Sequence, residues 1–476
     1  MHRNKHYCKG ESKMQAFFGI DVGTTNIKAC LFAAEKGILA CAMRQTPVAY
    51  DPLIGESHHP ALLWETVIIV MKDCLSQARQ KHGNAVQVLS ISVASMGEEV
   101  ILLDKYYQPV GNTLIWYDSR PLEMIPVISE RIGAFELRQL TGLSMDPSYT
   151  LLKLLWLRKQ NQELFEKAKY LMPVSDYINF CLTGRLSINP SLASRTMLYS
   201  PFTNHWLIDL ISEFELTDLS FPEIIAGGNL IGNLTKESAL ALGLSIDTKV
   251  GIGGHDSACA SLAAGIIRPG SGIISSGTAE GIFVPVDNFQ IPNDYPTISV
   301  GRHCVADQLY ISDILPTGAI IRWAVQLLNT SNDSRSLFRS LIKNSINRMQ
   351  HRIPSCGFSY ETDYISLKSF SYTNLTLTTE LEDMINASLI FLTDKLVNAI
   401  EAMEHAAHQP IEQLIICGGL SEIPEFVTWR QQYFKQTLLP HHYTELTAAG
   451  AAILGAVASH AFGSYEEAIN HLVIND

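Results

Sequence analysis

The chain has 476 residues, 47% of them apolar, and carries 47 acidic against 35 basic side chains for a net charge of −12. That length exceeds one ordinary core and suits two domains of roughly 200 to 250 residues. The acidic balance argues against a nucleic-acid partner, which usually meets a basic face, and no apolar run approaches the ~18 residues of a membrane span.

Residues 1–13 (MHRNKHYCKGESK) are polar and basic, without the apolar stretch of a secretory signal. They read as a disordered extension, with Met14 as an alternative start. The nine cysteines are scattered, odd in number and without a CxxC pair. We read them as buried free thiols of a reducing cytoplasm, Cys30 and Cys417 included, and not as a metal site.

Phe17–Phe32 (FFGIDVGTTNIKACLF) places two apolar runs around a Gly-Thr-Thr-Asn turn, which is a hairpin signal. Backbone N–H groups in such a turn can form an anion site, helped by the Thr24 and Thr25 hydroxyls. Asp21 stands at its mouth, where a carboxylate can hold hydrated Mg²⁺ beside phosphate. An ordinary surface hairpin is the plainer alternative. Helical periodicity covers Ala61–Ala78, and Val86–Ala94 reads as a buried strand that breaks at Ser95-Met96-Gly97-Glu98-Glu99. Ligands of open α/β sheets gather at such strand ends, although Glu98 taken alone is a solvated loop residue.

In Ile115–Arg120 (IWYDSR) an extended backbone would put Trp116, Asp118 and Arg120 on one face. An aromatic plate beside a carboxylate and a guanidinium suits a polyhydroxylated ligand, and an internal Asp118–Arg120 ion pair is the competing explanation. Ser148–Gln160 is an amphipathic helix, read as architecture around Lys153 and Trp156. Asp176 reads as a helix cap. Asn189–Thr196 is polar and Ser-rich, a weaker candidate for facing a ligand.

A boundary near Asp247 gives domains 14–246 and 247–476. The second opens with a strand running into Gly253-Gly254-His255-Asp256 and a helix of small residues. At that junction Asp256 is either a helix cap or a proton acceptor near an anion-binding helix start. Gly270–Val286 repeats the strand–Ser-Gly-Thr–strand logic of the first hairpin, which points to a duplicated architecture. Gln413–Gly419 ends in paired glycines that let backbone approach a flat ligand, and Glu445–Gly455 is a small-residue helix built for close packing. No GxxxxGK[ST] loop and no GxGxxG after a strand is present.

In this order, DVGTTNIK at 21–28, WxDxR at 116–120, SYTLLKLLWLRKQ at 148–160, GGHD at 253–256, SGT at 276–278, TGAIIRW at 317–323, ICGG at 416–419 and ELTAAGAAILG at 445–455 resemble the FGGY carbohydrate kinases. The resemblance implies an α/β fold of two ribonuclease-H-like (actin-like ATPase) domains with an interdomain active-site cleft. It implies ATP-dependent phosphorylation of a hydroxyl of a small ketose or polyol in the cytoplasm, with Asp256 as base. Carried over position by position, ATP falls to Gly23, Thr24, Thr25, Lys28, Gly277, Thr278, Gly318, Gly418 and Gly419. Mg²⁺ falls to Asp21 and Asp256, and the sugar to Glu98, Trp116, Asp118, Arg120 and Asp256. Members are often dimers, so a homodimer is the implied assembly. The chain departs from the family where Met96-Gly97 replaces an Arg or Gln, where a Gly-Glu-Arg triplet is absent from 329–379, and where Ser388 takes a helix Glu position. The divergent region 329–388 keeps open a catalytically weak sugar-binding or regulatory homologue. A non-sugar ATPase of the same superfamily is the other alternative, and the WxDxR pattern and the complete 148–160 signature speak against it.

Overall fold

The computed structural model describes residues 14–277, 279–292, 295–326, 334–349, 356–363 and 366–474. The N-terminal extension 1–13 and Thr278 lie outside them, as do parts of the divergent 329–379 stretch.

Two mixed sheets carry the molecule. In the first, Met14–Val22, Asn26–Ala33 and Gly37–Gln45 form an antiparallel meander. Val86–Ser95 joins Met14–Val22 in parallel, followed outward by Lys249–Gly251 and Leu230–Asn233. In the second, Ser271–Ser276, Glu280–Val286 and Leu309–Leu315 make the same meander, Gln413–Cys417 joins Ser271–Ser276 in parallel, and Thr437–Pro440 lies beyond. The two sheets therefore repeat one topology, as the paired hairpins suggested. Alternation explains the layering: Ile27, Ala29 and Leu31 enter one core with the helix Pro60–His82, while Cys30 and Phe32 face the helices between the sheets.

The boundary expected near Asp247 does not separate the sheets. Lys249–Gly251 and Gly254–His255 both hydrogen-bond in parallel to Val86–Ser95, so they complete the first sheet. The chain changes sheets between His255 and Ser271. From the far end of the sequence, the helix Leu446–Ala458 packs on the first sheet and on the helix Asp256–Ala263. Small residues are required on both sides of these contacts: a Cβ on Gly19 would sit 1.7 Å from the Ala448 carbonyl oxygen, and one on Gly450 of the helix 1.9 Å from the Cys259 carbonyl oxygen. Among the described residues no helix is long and apolar enough to cross a membrane.

Three local expectations change. Cys30 and Cys41 are register partners on adjacent strands and are joined as a disulfide, with Cα atoms 4.1 Å apart, while Cys417 is a buried free thiol. Residues 115–119 turn instead of extending, because Arg120–Met124 begins a 3₁₀ turn with Pro121 early in it, and the shared face of Trp116, Asp118 and Arg120 is lost.

Asp176 is not a cap. It lies in the first turn of Val174–Thr183, with Pro173 at the cap position, and is buried. Burial pushes its carboxyl well above the usual carboxylate range, and Asn179 offsets this only in part. A folded-state pKa above the unfolded one contributes stability that is complete below the ordinary carboxylate pKa and is lost as pH rises. Asp176→Asn is therefore expected to melt above the parent protein at pH 8, with the gap closing towards pH 4. Thermal scans across that range check it, and a variant that melts lower at pH 8 contradicts the assignment.

Candidate functional site

Three strand ends meet in register at one edge of the first sheet. Val22 pairs with Ser95 and Ser95 with His255, so the Gly23 turn, the Glu98 loop and Asp256 emerge side by side. This is the carboxyl edge where open α/β sheets bind ligands. The Gly23 turn closes through its N–H to the Asn26 carbonyl at 3.1 Å, and Thr46 Oγ1 donates to the Gly23 carbonyl at 2.6 Å. Thr24 and Thr25 stay partly open to solvent, and Thr24 Oγ1 accepts from Trp116 Nε1 at 2.7 Å.

Asp256 is the first residue of its helix and its carboxylate accepts from the Ser257 hydroxyl at 3.1 Å. His255 lies beside it, Nδ1 to Oδ1 3.3 Å. Asp21 is pushed up to about 7, first by burial and then by the negative charge of Asp256, with Glu445 adding to this and Lys28 opposing it. Two hard-oxygen carboxylates that repel each other, beside threonine hydroxyls, form a donor set that fits Mg²⁺. Lys28 is aimed elsewhere: its ammonium meets Glu445 at 2.8 Å, so it ties the first hairpin to the start of the last long interdomain helix.

Glu98 is buried rather than solvated. Arg195 holds one of its oxygens through Nε at 2.6 Å and Nη2 at 2.5 Å. Burial alone would raise this carboxyl, but Arg195, His255 and Lys153 outweigh it and hold Glu98 below its ordinary value. The missing side chain at Gly97 has a use here, because a Cβ would meet the His255 ring at 2.8 Å. Asn189 and Ser191 support the same turn: Ser191 Oγ accepts from the His255 N–H at 2.9 Å and donates to Asn189 Oδ1 at 2.7 Å.

Lys153, read as architecture, is fully buried and donates to the Glu98 and Trp116 carbonyls, each at 3.3 Å. Burial brings its ammonium down to about 8 despite Glu99 and Glu98 nearby. Asp118 and Arg120 take the ion-pair alternative. Arg120 Nε meets Asp118 Oδ1 at 2.9 Å, and its guanidinium also reaches the Leu53 carbonyl and stacks on Trp156. Neither side chain is free to turn wholly to a ligand. Arg195 was the residue missed, although a lone arginine in the small, polar run 189–196 was its available signal.

In the second sheet the turn at Gly277 sits between Ser276 and Glu280. Gly418 adopts a φ of +92° and a Cβ there would stand 2.7 Å from the Ser276 carbonyl, so glycine is required. Gly419 faces open space, and Gly318 lies in the first turn of Thr317–Gln326. A buried carboxylate holds these parts together. Glu280 Oε2 accepts from Arg430 Nη2 at 2.7 Å and from Thr317 Oγ1 at 3.0 Å, and Oε1 accepts from Ser276 Oγ and Arg430 Nη1, both at 2.5 Å. Arg430 keeps Glu280 ionised against the raising effect of burial. Ser388 is buried and pairs with the Tyr372 hydroxyl at 2.7 Å, so it serves packing and does not face a cleft.

The FGGY family of carbohydrate kinases, N-terminal domain, matches residues 16–263, and its C-terminal domain matches 362–459. A xylulose kinase of Staphylococcus xylosus is 24% identical over 458 residues, which is 95% of this chain and 93% of the relative. The L-fuculokinase of Escherichia coli K12 is 24% identical over 465 residues, covering 96% and 95%. Among solved structures, xylulose kinase from Rhodospirillum rubrum superposes with a TM-score of 0.84 at 19% identity, covering 95% of this chain and 92% of the other. Gluconate kinase from Lactobacillus acidophilus also reaches 0.84, at 20% identity and 96% and 91% coverage.

Proposed function

This chain belongs to the FGGY family of carbohydrate kinases, and on that premise we propose that it moves the γ-phosphoryl group of ATP to a hydroxyl of a small ketose or polyol, with Asp256 as general base. The observation that carries this reading is the alignment of three strand ends, which sets the Gly23 turn, Glu98 and Asp256 at one edge. Phosphoryl transfer needs little covalent help from the protein: it needs alignment, charge neutralisation and a carboxylate to take the hydroxyl proton. Asp256 is partly exposed and lightly bonded, so it can accept that proton.

Asp21 and Asp256 are the residues that would hold Mg²⁺, which supplies charge neutralisation on the phosphates when bound. The Gly23–Thr25 turn and Gly277, with Thr278, cradle phosphates from the two sides. Gly318, Gly418 and Gly419 border the adenosine. Glu98 and Trp116 contact the sugar, while Arg195, Lys153, Asp118 and Arg120 hold them in place. Closure of the two halves excludes water that would otherwise take the phosphoryl group. The setting is the cytoplasm, where ATP and free sugars meet.

ADP release with ATP·Mg²⁺ across ketopentoses, ketohexoses, aldonic acids and polyols tests the reading. One sugar class is expected to raise turnover well above the rate without sugar. ATP turnover indifferent to every sugar would instead favour an ATPase of the same superfamily.

A further inference from the structure

Among the described residues one group of thiols and carboxylates brings three metal-binding atoms together, and it is not the Asp21–Asp256 pair. The sulfurs of Cys30 and Cys41 and a carboxylate oxygen of Glu445 lie within 4.8 Å of one another. Cys30 on Asn26–Ala33 is directly opposite Cys41 on Gly37–Gln45, and Lys28 shares the face of Cys30 two residues earlier. Glu445 stands at the cap position of Leu446–Ala458, the helix that packs against this face.

Each part of the group suits a thiophilic cation. Side chains directly opposite on a sheet have Cβ atoms about 4.5–5.5 Å apart, a span that two thiolates at about 2.3 Å from one Zn²⁺ ion can bridge. Lys28 bonds only Oε2 of Glu445, so Oε1 is without a hydrogen bond among the described residues. Two thiolates and one carboxylate leave a bound divalent ion with a single negative charge, and the Lys28 ammonium balances it. Cys30 is fully buried, but Cys41 and Glu445 are half-buried and give the ion an entrance. Thiolate donors select Zn²⁺ and Cd²⁺, whereas the oxygen donors of Asp21 and Asp256 suit Mg²⁺.

We propose that reduction of the Cys30–Cys41 disulfide creates a site at which Cys30, Cys41 and Glu445 bind one Zn²⁺ ion, with water as the fourth ligand. The structure holds the two sulfurs in their joined, oxidised form, and a reducing cytoplasm keeps such pairs as dithiols. The metal then expels both thiol protons. It clips the hairpin that carries the Gly23 turn to the start of the last long interdomain helix. Lys28 and Glu445 are 417 residues apart along the chain, so the clip closes a very long loop. The site does not depend on the kinase reading above, and its test reads no turnover.

The full chain is reduced with a trialkylphosphine, desalted without oxygen and titrated with Co²⁺ and then Zn²⁺ in excess Mg²⁺. The phosphine takes the oxygen of a water molecule to become a phosphine oxide, and two electrons and two protons pass to the sulfurs as their bond breaks. The expected result is one Co²⁺ per chain with thiolate charge-transfer and tetrahedral visible bands, displaced by Zn²⁺. Zn²⁺ at about a hundredfold excess over its Kd should raise the melting temperature by a few degrees. The oxidised chain, which has no thiolate at these positions, takes up none, and Cys41→Ser loses the bands. Glu445→Gln weakens binding by at least about tenfold. Equal uptake by the reduced and oxidised chains, or bands that survive in Cys41→Ser, would place the metal on other thiols and overturn the proposal. So would a reduced parent chain without thiolate bands, a result that needs no variant to fold.

Discussion

Asp256→Asn lowers kcat by about 10²- to 10⁴-fold, the usual contribution of a positioned general base, and leaves the protein folded. The side chain is 37% exposed and, among the described residues, its polar contacts run to Ser257 and His255, so an isosteric amide disturbs little packing. Loss of negative charge at the first helical residue costs less than about 1 kcal/mol. The amide cannot take the proton of the attacking hydroxyl, yet it keeps its place at the strand end. Steady-state ADP release, a thermal scan and calorimetric sugar binding together check this. A folded variant that still binds sugar but turns over slowly fits the base assignment, and one retaining kcat within about tenfold removes Asp256 from that role.

The second large effect concerns a residue far from the transferred phosphoryl group. Glu280→Ala destabilises the second half by about 3–5 kcal/mol, because it leaves the Arg430 guanidinium buried without its counter-charge. Arg430 is enclosed between the Phe426 and Phe434 rings, 5.1 and 5.7 Å from their centres, and cannot move to water. The same substitution cuts the links from the Gly277 turn to Thr317 and Arg430, so KM for ATP rises by about tenfold or more as the phosphate turn shifts. The double change Glu280→Ala with Arg430→Met separates the two consequences. Removing both charges should restore most of the urea resistance while KM for ATP stays high. Recovery of both together would mean that the pair serves stability alone.

Much of the fold is legible along the chain because its signals are local. Alternating apolar residues around Gly23 and around Gly277 announce two hairpins, and both occur, each leading its sheet in the same strand order. The small residues of 446–458 foretell a helix packed backbone to backbone, and Gly19 against Ala448 shows the closeness they allow. Asp21 and Gly277 stand out because turns between strands are where chemistry collects in such sheets, whereas Glu98 and Asp256 stand out through the resemblance to the FGGY kinases.

Pairing between distant segments has no such local signal. Lys249–Gly251 looks like the start of a new domain until its hydrogen bonds to Val86–Ser95 place it in the first sheet. Trp116, Asp118 and Arg120 share a face only if the backbone is extended, and the helical start around Pro121 removes that condition. Arg195 lies 97 residues from Glu98 and Arg430 lies 150 from Glu280, separations at which neither period nor spacing carries information. Hydrophobic periodicity and turn chemistry are properties of neighbouring residues, so the sequence by itself determined the elements, their order and the strand ends that bear the catalytic candidates. Which buried charges neutralise one another depends on burial and distance across the chain, so only the tertiary structure decided that Arg195 steadies Glu98 and that Arg430 steadies Glu280.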